Sequence, residues 1–261
     1  PSKSTFSRAF AQFSQGHLTQ DIHQAMVKEH CGEKLAGHIS RDSTAIAARE
    51  KPVKKKSVEP VAQPKRKPGR PRKGEVVAPK PPKRLDLQPA RTLADNLEDL
   101  PYQCDVGTKK NSKGYKESWI GYKLHLDCID GDIPVSTLLT SASLHDSQAA
   151  LPLSQMSQDR ITNLYDLMDS AYDAPQIHSF RKNLGHKPII DHNPRRGEKI
   201  YMDPASKARF AQRSSAERVN AYLKDNYGGR NIRVKGAAKV MTHLMFGIIA
   251  ITATQLFHLL E

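Results

Sequence analysis

The sequence predicts a mixed α/β sheet covered by helices, and three patterns carry that prediction. Residues Trp119 to Ile129 alternate, with Ile120, Tyr122, Leu124, Leu126 and Cys128 on one side and Lys123, His125 and Asp127 on the other, which is the period of a strand. The apolar run Leu164 to Met168 ends at Asp169 and is followed by Ser170 to Pro175. There Asp173 can cap a helix with Pro175 in its first turn, so the segment reads as strand, turn, helix. Toward the C-terminus, residues 210–224 repeat at helical spacing, and 240–260 form a long apolar stretch.

In chain order, residues 1–31 read as a helical lead-in, with Phe6, Phe10 and Phe13 at helical spacing and expected in a core. The sequence opens inside that helix without an initiator Met, so a preceding DNA-binding or dimerisation region is expected. Residues 32–261 read as one catalytic domain. Its first strand is Leu35 to Thr44, with Leu35, Gly37 and Ile39 on one parity and His38, Ser40 and Asp42 on the other. The Trp119–Ile129 strand is followed by the hairpin signal Asp130-Gly131-Asp132 and a second β-rich run, Ile133 to Thr140. A helix from His145 to Arg160, the Asp169 strand, a helix at Pro175 to Asn183, a short strand at Lys187 to Asp191 and the 210–224 helix complete the order.

That last helix carries chemistry on one face. At about 100° per residue, Phe210, Arg213, Glu217 and Lys224 fall at about 0°, 300°, 340° and 320°, while Ala216, Val219, Tyr222 and Leu223 form the opposite stripe. An aromatic ring, two cations and a carboxylate on one stripe suit a phosphodiester with a divalent metal; the plain alternative is a solvated charged face. Asp169, at the end of a strand, points into the crevice where α/β sheets place ligands, and Asp42 occupies a polar strand position. Two carboxylates on strands and one on a helix are the hard oxygen ligands that a two-metal phosphoryl-transfer site requires.

Together these motifs resemble the catalytic domain of a DDE transposase of the IS4-like insertion-sequence group. The helix motif of that group reads Tyr, two residues, Arg, three residues, Glu, six residues, Lys; Arg213, Glu217 and Lys224 match it, and Phe210 stands where it has Tyr. Asp169-Ser170-Ala171-Tyr172-Asp173 is similar to its second-Asp motif, Arg41-Asp42-Ser43-Thr44 to its first, and His145-Asp146-Ser147 to a further element. The resemblance runs from about Gly32 to the end and implies an RNase H-like fold. It further implies that Asp42, Asp169 and Glu217 hold two Mg²⁺ or Mn²⁺ ions and that Arg213 and Lys224 hold DNA phosphates. Phe210 keeps a stacking ring but lacks the hydroxyl. The implied partners are double-stranded DNA, as element ends and target, and a second copy of the chain. Between Asp191 and Glu217 there is no room for the large β-insertion that some relatives carry.

Charge is concentrated between the first two strands. Of a net charge of +14, residues 51–84 supply +11, from 13 basic and 2 acidic residues, and they contain eight prolines and no aromatic residue. Such a segment cannot build a core and is expected to be a disordered tether. Its centre, Lys65-Arg66-Lys67-Pro68-Gly69-Arg70-Pro71-Arg72-Lys73, is similar to an AT-hook, with Arg70 in the minor groove and Arg66, Lys67, Arg72 and Lys73 on phosphates. The alternatives are an unspecific basic linker or a localisation signal.

Cys31, Cys104 and Cys128 have no paired spacing, which argues against a disulfide framework or zinc site and for a reducing cytoplasm. The run from Val240 to Leu260 has the length of a membrane span, but His243, Thr252, Thr254, Gln255 and His258 interrupt it, and a buried covering helix is expected instead. The function expected is metal-dependent DNA cleavage and strand transfer. The alternatives are an RNase H-like nuclease without transfer and an inactive DNA-binding relative.

Overall fold

The computed structural model describes residues 1–53, 81–110, 113–195 and 197–259. Helices α1 (Lys3–Gln15) and α2 (Leu18–Cys31) lead into β1 (Leu35–Ala47). Short helices α3 (Arg84–Leu87) and α4 (Leu93–Glu98) precede three strands, β2 (Asp105–Lys110), β3 (Lys116–Ile129) and β4 (Ile133–Ser141). Then follow α5 (Ser147–Gln158), β5 (Thr162–Met168), α6 (Pro175–Asn183), β6 (Lys187–Ile190), α7 (Pro204–Phe210), α8 (Ser214–Asn226) and α9 (Ala237–His258). The basic segment centred on Arg66, Lys67, Arg70, Arg72 and Lys73 lies outside the described residues.

The six strands form one mixed sheet in the order β2-β3-β1-β5-β6, with β4 also paired to β3. Strand β1 runs antiparallel to β3 and parallel to β5, and β5 is parallel to β6. This is the α/β, RNase H-like sheet expected from the sequence. The hairpin signal is also realised: Ile129 pairs with Ile133 across a turn in which Gly131 and Asp132 both have positive φ.

Both faces of the sheet are covered. Tyr122, Leu124, Leu126 and Cys128 pack against Ala216, Val219 and Leu223 of α8 and against Val240, Leu244, Met245, Ile248 and Ile251 of α9. The apolar C-terminal run is thus a covering helix, long and apolar enough by composition to cross a membrane but half buried in this core. The other parity of β3 is buried too. Asp127 accepts two hydrogen bonds from Arg41, both at 2.7 Å, and one from Ser157 Oγ at 2.7 Å. Arg41 also donates to Ala150 O and Ser154 Oγ of α5. Removing one partner of such a fully enclosed pair strands the other charge, at a cost of about 3–5 kcal/mol.

Three expectations are corrected. Phe6 and Phe13 are not core residues: they are 65% and 37% exposed, whereas Phe10 meets the Phe246 ring at 6.3 Å. Tyr222, placed with the buried stripe, is 42% exposed. Asp173 does not cap α6; its carboxylate accepts from His178 Nε2 and from the Asn193 amide instead.

Candidate active site

The site is built on the even-numbered face of β1. Three successive positions on that face meet α8 and the segment that enters it. Ser40 Oγ donates to Gln212 O at 2.9 Å, Asp42 Oδ2 accepts from Asn220 Nδ2 at 3.1 Å, and Thr44 Oγ1 accepts from Lys224 Nζ. Strand alternation sets this spacing, since residues two apart on β1 share a face. The segment itself is not the single helix read from the sequence. Residues Ala211–Arg213 form a 3-10 turn between α7 and α8, so Phe210 ends one helix and Arg213 is the N-cap of the next. The stripe still holds in part, because the Arg213 guanidinium lies 5.8 Å from the Phe210 ring centroid and also contacts Glu217.

Asp169 follows β5 directly. The parallel register sets Ser40 beside Leu167, and two residues further along it brings Asp42 to the level of Asp169. Asp169 caps the 3-10 turn Ser170–Tyr172, its carboxylate accepting from the Ala171 amide at 2.9 Å. The one-residue cap explains why a strand can deliver a carboxylate here without fraying: the turn's first free N–H is satisfied by the side chain itself.

Arg213 is the cation of the cluster. Its Nη1 stands 3.6 Å from Asp42 Oδ1 while Nη2 engages Glu217. Burial raises the Asp42 carboxyl to about 6; Arg213, the Ser43 amide and Asn220 oppose the rise, and the neighbouring charge of Asp169 adds to it. Asp169 is likewise raised by burial, helped by Asp146 and Asp191, against the Ala171 hydrogen bond and Arg213. Two carboxyls that disfavour their own ionised form and face one arginine form a site short of positive charge.

Glu217 is different. Its side chain is 51% exposed against 21% for Asp42, and it turns to Arg213 rather than to the two aspartates. Accordingly, among the described residues no three His, Cys, Asp or Glu side chains stand close enough to hold a metal ion together. The donor set nevertheless suits a hard divalent cation in chemistry. Asn220 Oδ1 adds a buried hard oxygen beside Asp42, whereas Arg213 Nη1 is a cationic donor that suits an anion such as a phosphate.

Sequence reasoning misses Asn220, although the signal is present: on the same wheel it falls at about 280°, beside Arg213. It also passes over Lys123, whose Nζ donates to Asp146 Oδ1 at 2.8 Å and to Leu144 O at 2.7 Å, fixing the loop before α5 next to Asp169. Tyr172 enters the sequence reading only as a member of the second-Asp motif. Its hydroxyl is buried without a partner, in the field of Asp146, Asp42 and Asp169. His38 and His125 are structural: His38 pairs with Asp130, and His125 with Thr140 inside the sheet.

A mixed sheet that delivers one aspartate from its central strand and another from the end of the adjacent parallel strand, under a helix carrying a glutamate, has the RNase H-like form. The chain belongs to the transposase DDE domain family, whose model matches residues 42–253, a span that opens on Asp42 itself. No curated protein and no solved structure matches it.

Proposed function

We propose that this member of the family cleaves double-stranded DNA at the ends of an IS4-like insertion element and transfers the freed strand, with Asp42, Asp169 and Glu217 holding two Mg²⁺ or Mn²⁺ ions. The observation that carries the reading is the pair Asp42 and Asp169, brought to one level by the β1–β5 register, both raised by burial and both opposed by the charge of Arg213. When bound, such ions activate an attacking water or 3′-hydroxyl and stabilise the leaving 3′-oxygen.

The chain's own residues supply the rest. Asn220 holds one Asp42 oxygen by its amide hydrogen and so fixes the direction of the other. Arg213, which reaches Asp42 and Glu217, has the planar fork that would also hold a backbone phosphate beside the two aspartates. Lys224, anchored beside Thr44 two residues beyond Asp42, takes the next phosphate. Phe210 stacks at the rim. Residues 32–261 act as the catalytic domain and 1–31 as its lead-in. The protein works in the cytoplasm, as a homodimer on DNA.

The test is cleavage and strand transfer on duplex ends by Asp42→Ala, Asp169→Ala and Glu217→Ala. Each is expected to lose activity by at least about 10³-fold with DNA affinity kept, since ligands of one site act as a unit. A variant that still cleaves removes its residue from the site. Transfer from pre-cut 3′-hydroxyl ends separates a transposase from a nuclease: cleavage without transfer would establish the latter.

A further inference from the structure

The hairpin of β2 and β3 is unused by the site just described. Its strands pair from Asp105 with Gly121, which is also the last residue of β3 paired with β1, out to Lys110 with Lys116. Residues 105–121 hold Lys109, Lys110, Lys113 and Lys116 against Asp105 at the base and one acid further out, Glu117. Lys109 takes that acid at 4.0 Å, and the register then sets Lys110 directly opposite Lys116, both exposed. Like charges facing each other across an antiparallel pair destabilise it, so this arrangement costs the free protein stability.

The ribbon is nonetheless firmly based. The Trp119 ring covers Gly107 so closely that a Cβ there would come within 2.3 Å of it, and the indole N–H donates to Tyr122 O at 3.0 Å. At Gly121, φ is +151° and a Cβ would strike Ile46 O, so the strand can leave the sheet there only as glycine. The ribbon also lies toward the Lys224 end of the site: burial lowers the Lys224 ammonium, and the charges of Lys109 and Arg230 lower it further.

We propose that the β2–β3 ribbon is a DNA-binding arm whose lysines take backbone phosphates about one helical turn of duplex away from Asp42. Asp42 pairs with Leu126, and Lys116 is ten residues back along β3, at most about 33 Å at about 3.3 Å per residue. One turn of B-DNA is about 34 Å. The cost of opposing Lys110 to Lys116 is removed when a phosphate lies between them, which a polyanion supplies and solvent does not. A solvated hairpin would gain nothing from that register.

This inference rests on the reading of the chain as a protein that acts on duplex DNA. The experiment is fluorescence anisotropy of the full chain with a 30-base-pair duplex across a KCl series in EDTA, comparing the parent with Lys110→Gln/Lys116→Gln. The plot of log affinity against log salt is expected to flatten by up to about 1.8, about 0.9 for each phosphate that the variant no longer neutralises. The difference should vanish on duplexes shorter than about one turn. Lys110→Glu gives an independent readout: it replaces a repulsive cross-strand pair by an attractive one, so Tm should rise while DNA affinity falls. An unchanged slope for the double variant, with binding otherwise intact, overturns the arm alone. Absence of any duplex binding by the parent overturns the DNA reading and the arm with it. Catalytic failure of the carboxylate variants has no bearing on this measurement, which contains no metal.

Discussion

Asp42 is the residue on which the site turns, and its environment makes a prediction about stability as well as chemistry. Its folded-state carboxyl lies at about 6 against an ordinary 3.8, so the folded protein holds that proton more tightly than the unfolded chain. Ionised Asp42 therefore costs stability; the penalty is absent below about pH 4, grows between the two values and is complete above about 6. Asp42→Asn is expected to raise stability by about 3 kcal/mol at pH 7.5, with the gain gone near pH 4, as urea unfolding at the two pH values would show. Equal stability at pH 7.5 would mean the carboxylate is already compensated. Asn220 gives the companion prediction. Its hydrogen bond favours ionised Asp42, so Asn220→Ala should slow cleavage by about tenfold and move the acid limb of the pH–rate profile upward, because the unsupported carboxylate needs a higher pH to ionise. A slower variant with an unmoved limb would confine Asn220 to packing. The three carboxylates were legible as residue types at family spacings. Asn220 and Tyr172 were not, since an amide or a phenol acquires meaning only from the atom it faces.

At the scale of elements, legibility followed burial. Strand β3 was readable from its alternation because one parity enters the core with α8 and α9. Strand β2 went unread: Val106 is 44% exposed and Lys109 and Lys110 face solvent, so no apolar period marks it, and it is held by its ladder to β3 and by the cross-strand seat of Trp119 on Gly107. The Phe6, Phe10 and Phe13 spacing misled for the converse reason. It reports a helix correctly, but periodicity does not say what covers the face. The α7–α8 segment shows a third limit, because the 3-10 turn at Ala211–Arg213 divides the predicted helix, leaving Phe210 at the end of α7 while Glu217 and Lys224 lie on α8. The consequence is testable. Lys224, on α8 and seated on Thr44, should matter more than Phe210: Lys224→Ala is expected to weaken DNA binding and slow cleavage by about tenfold, whereas Phe210→Tyr should stay within about twofold of the parent. Parent-like binding and rate in Lys224→Ala would remove it from the phosphate track.

Across the whole molecule, charge and fold are separable. Residues 54–80 carry ten basic and two acidic side chains, while the described core closes without them. The chain leaves and rejoins the core at one place. The Val53 amide donates to Cys104 O at 3.1 Å, and Arg84 is held by Asp99 at 2.8 Å and by Gln148, with Val53, Arg84 and His145 lining one cavity beside the loop that carries Asp146. Replacing 54–80 by a short flexible linker should therefore leave the thermal transition nearly unchanged, provided Val53 and Arg84 are kept, because the core keeps its packing and a shorter loop costs less to close. The same deletion should weaken duplex binding by at least about 10²-fold at low salt and flatten its salt dependence by several units, since the slope falls by about 0.9 for each phosphate released. If the Gly69-Arg70-Pro71 core works as an AT-hook, Arg70→Ala should erase any preference for A·T-rich over G·C-rich duplex while lowering general affinity only about two- to threefold, because the groove insertion is removed and the flanking cations stay on their phosphates. Competition binding with the two duplexes decides it. Equal salt slopes for parent and deletion would show that residues 54–80 do not engage DNA, and an A·T preference that survives in Arg70→Ala would place the groove insertion elsewhere.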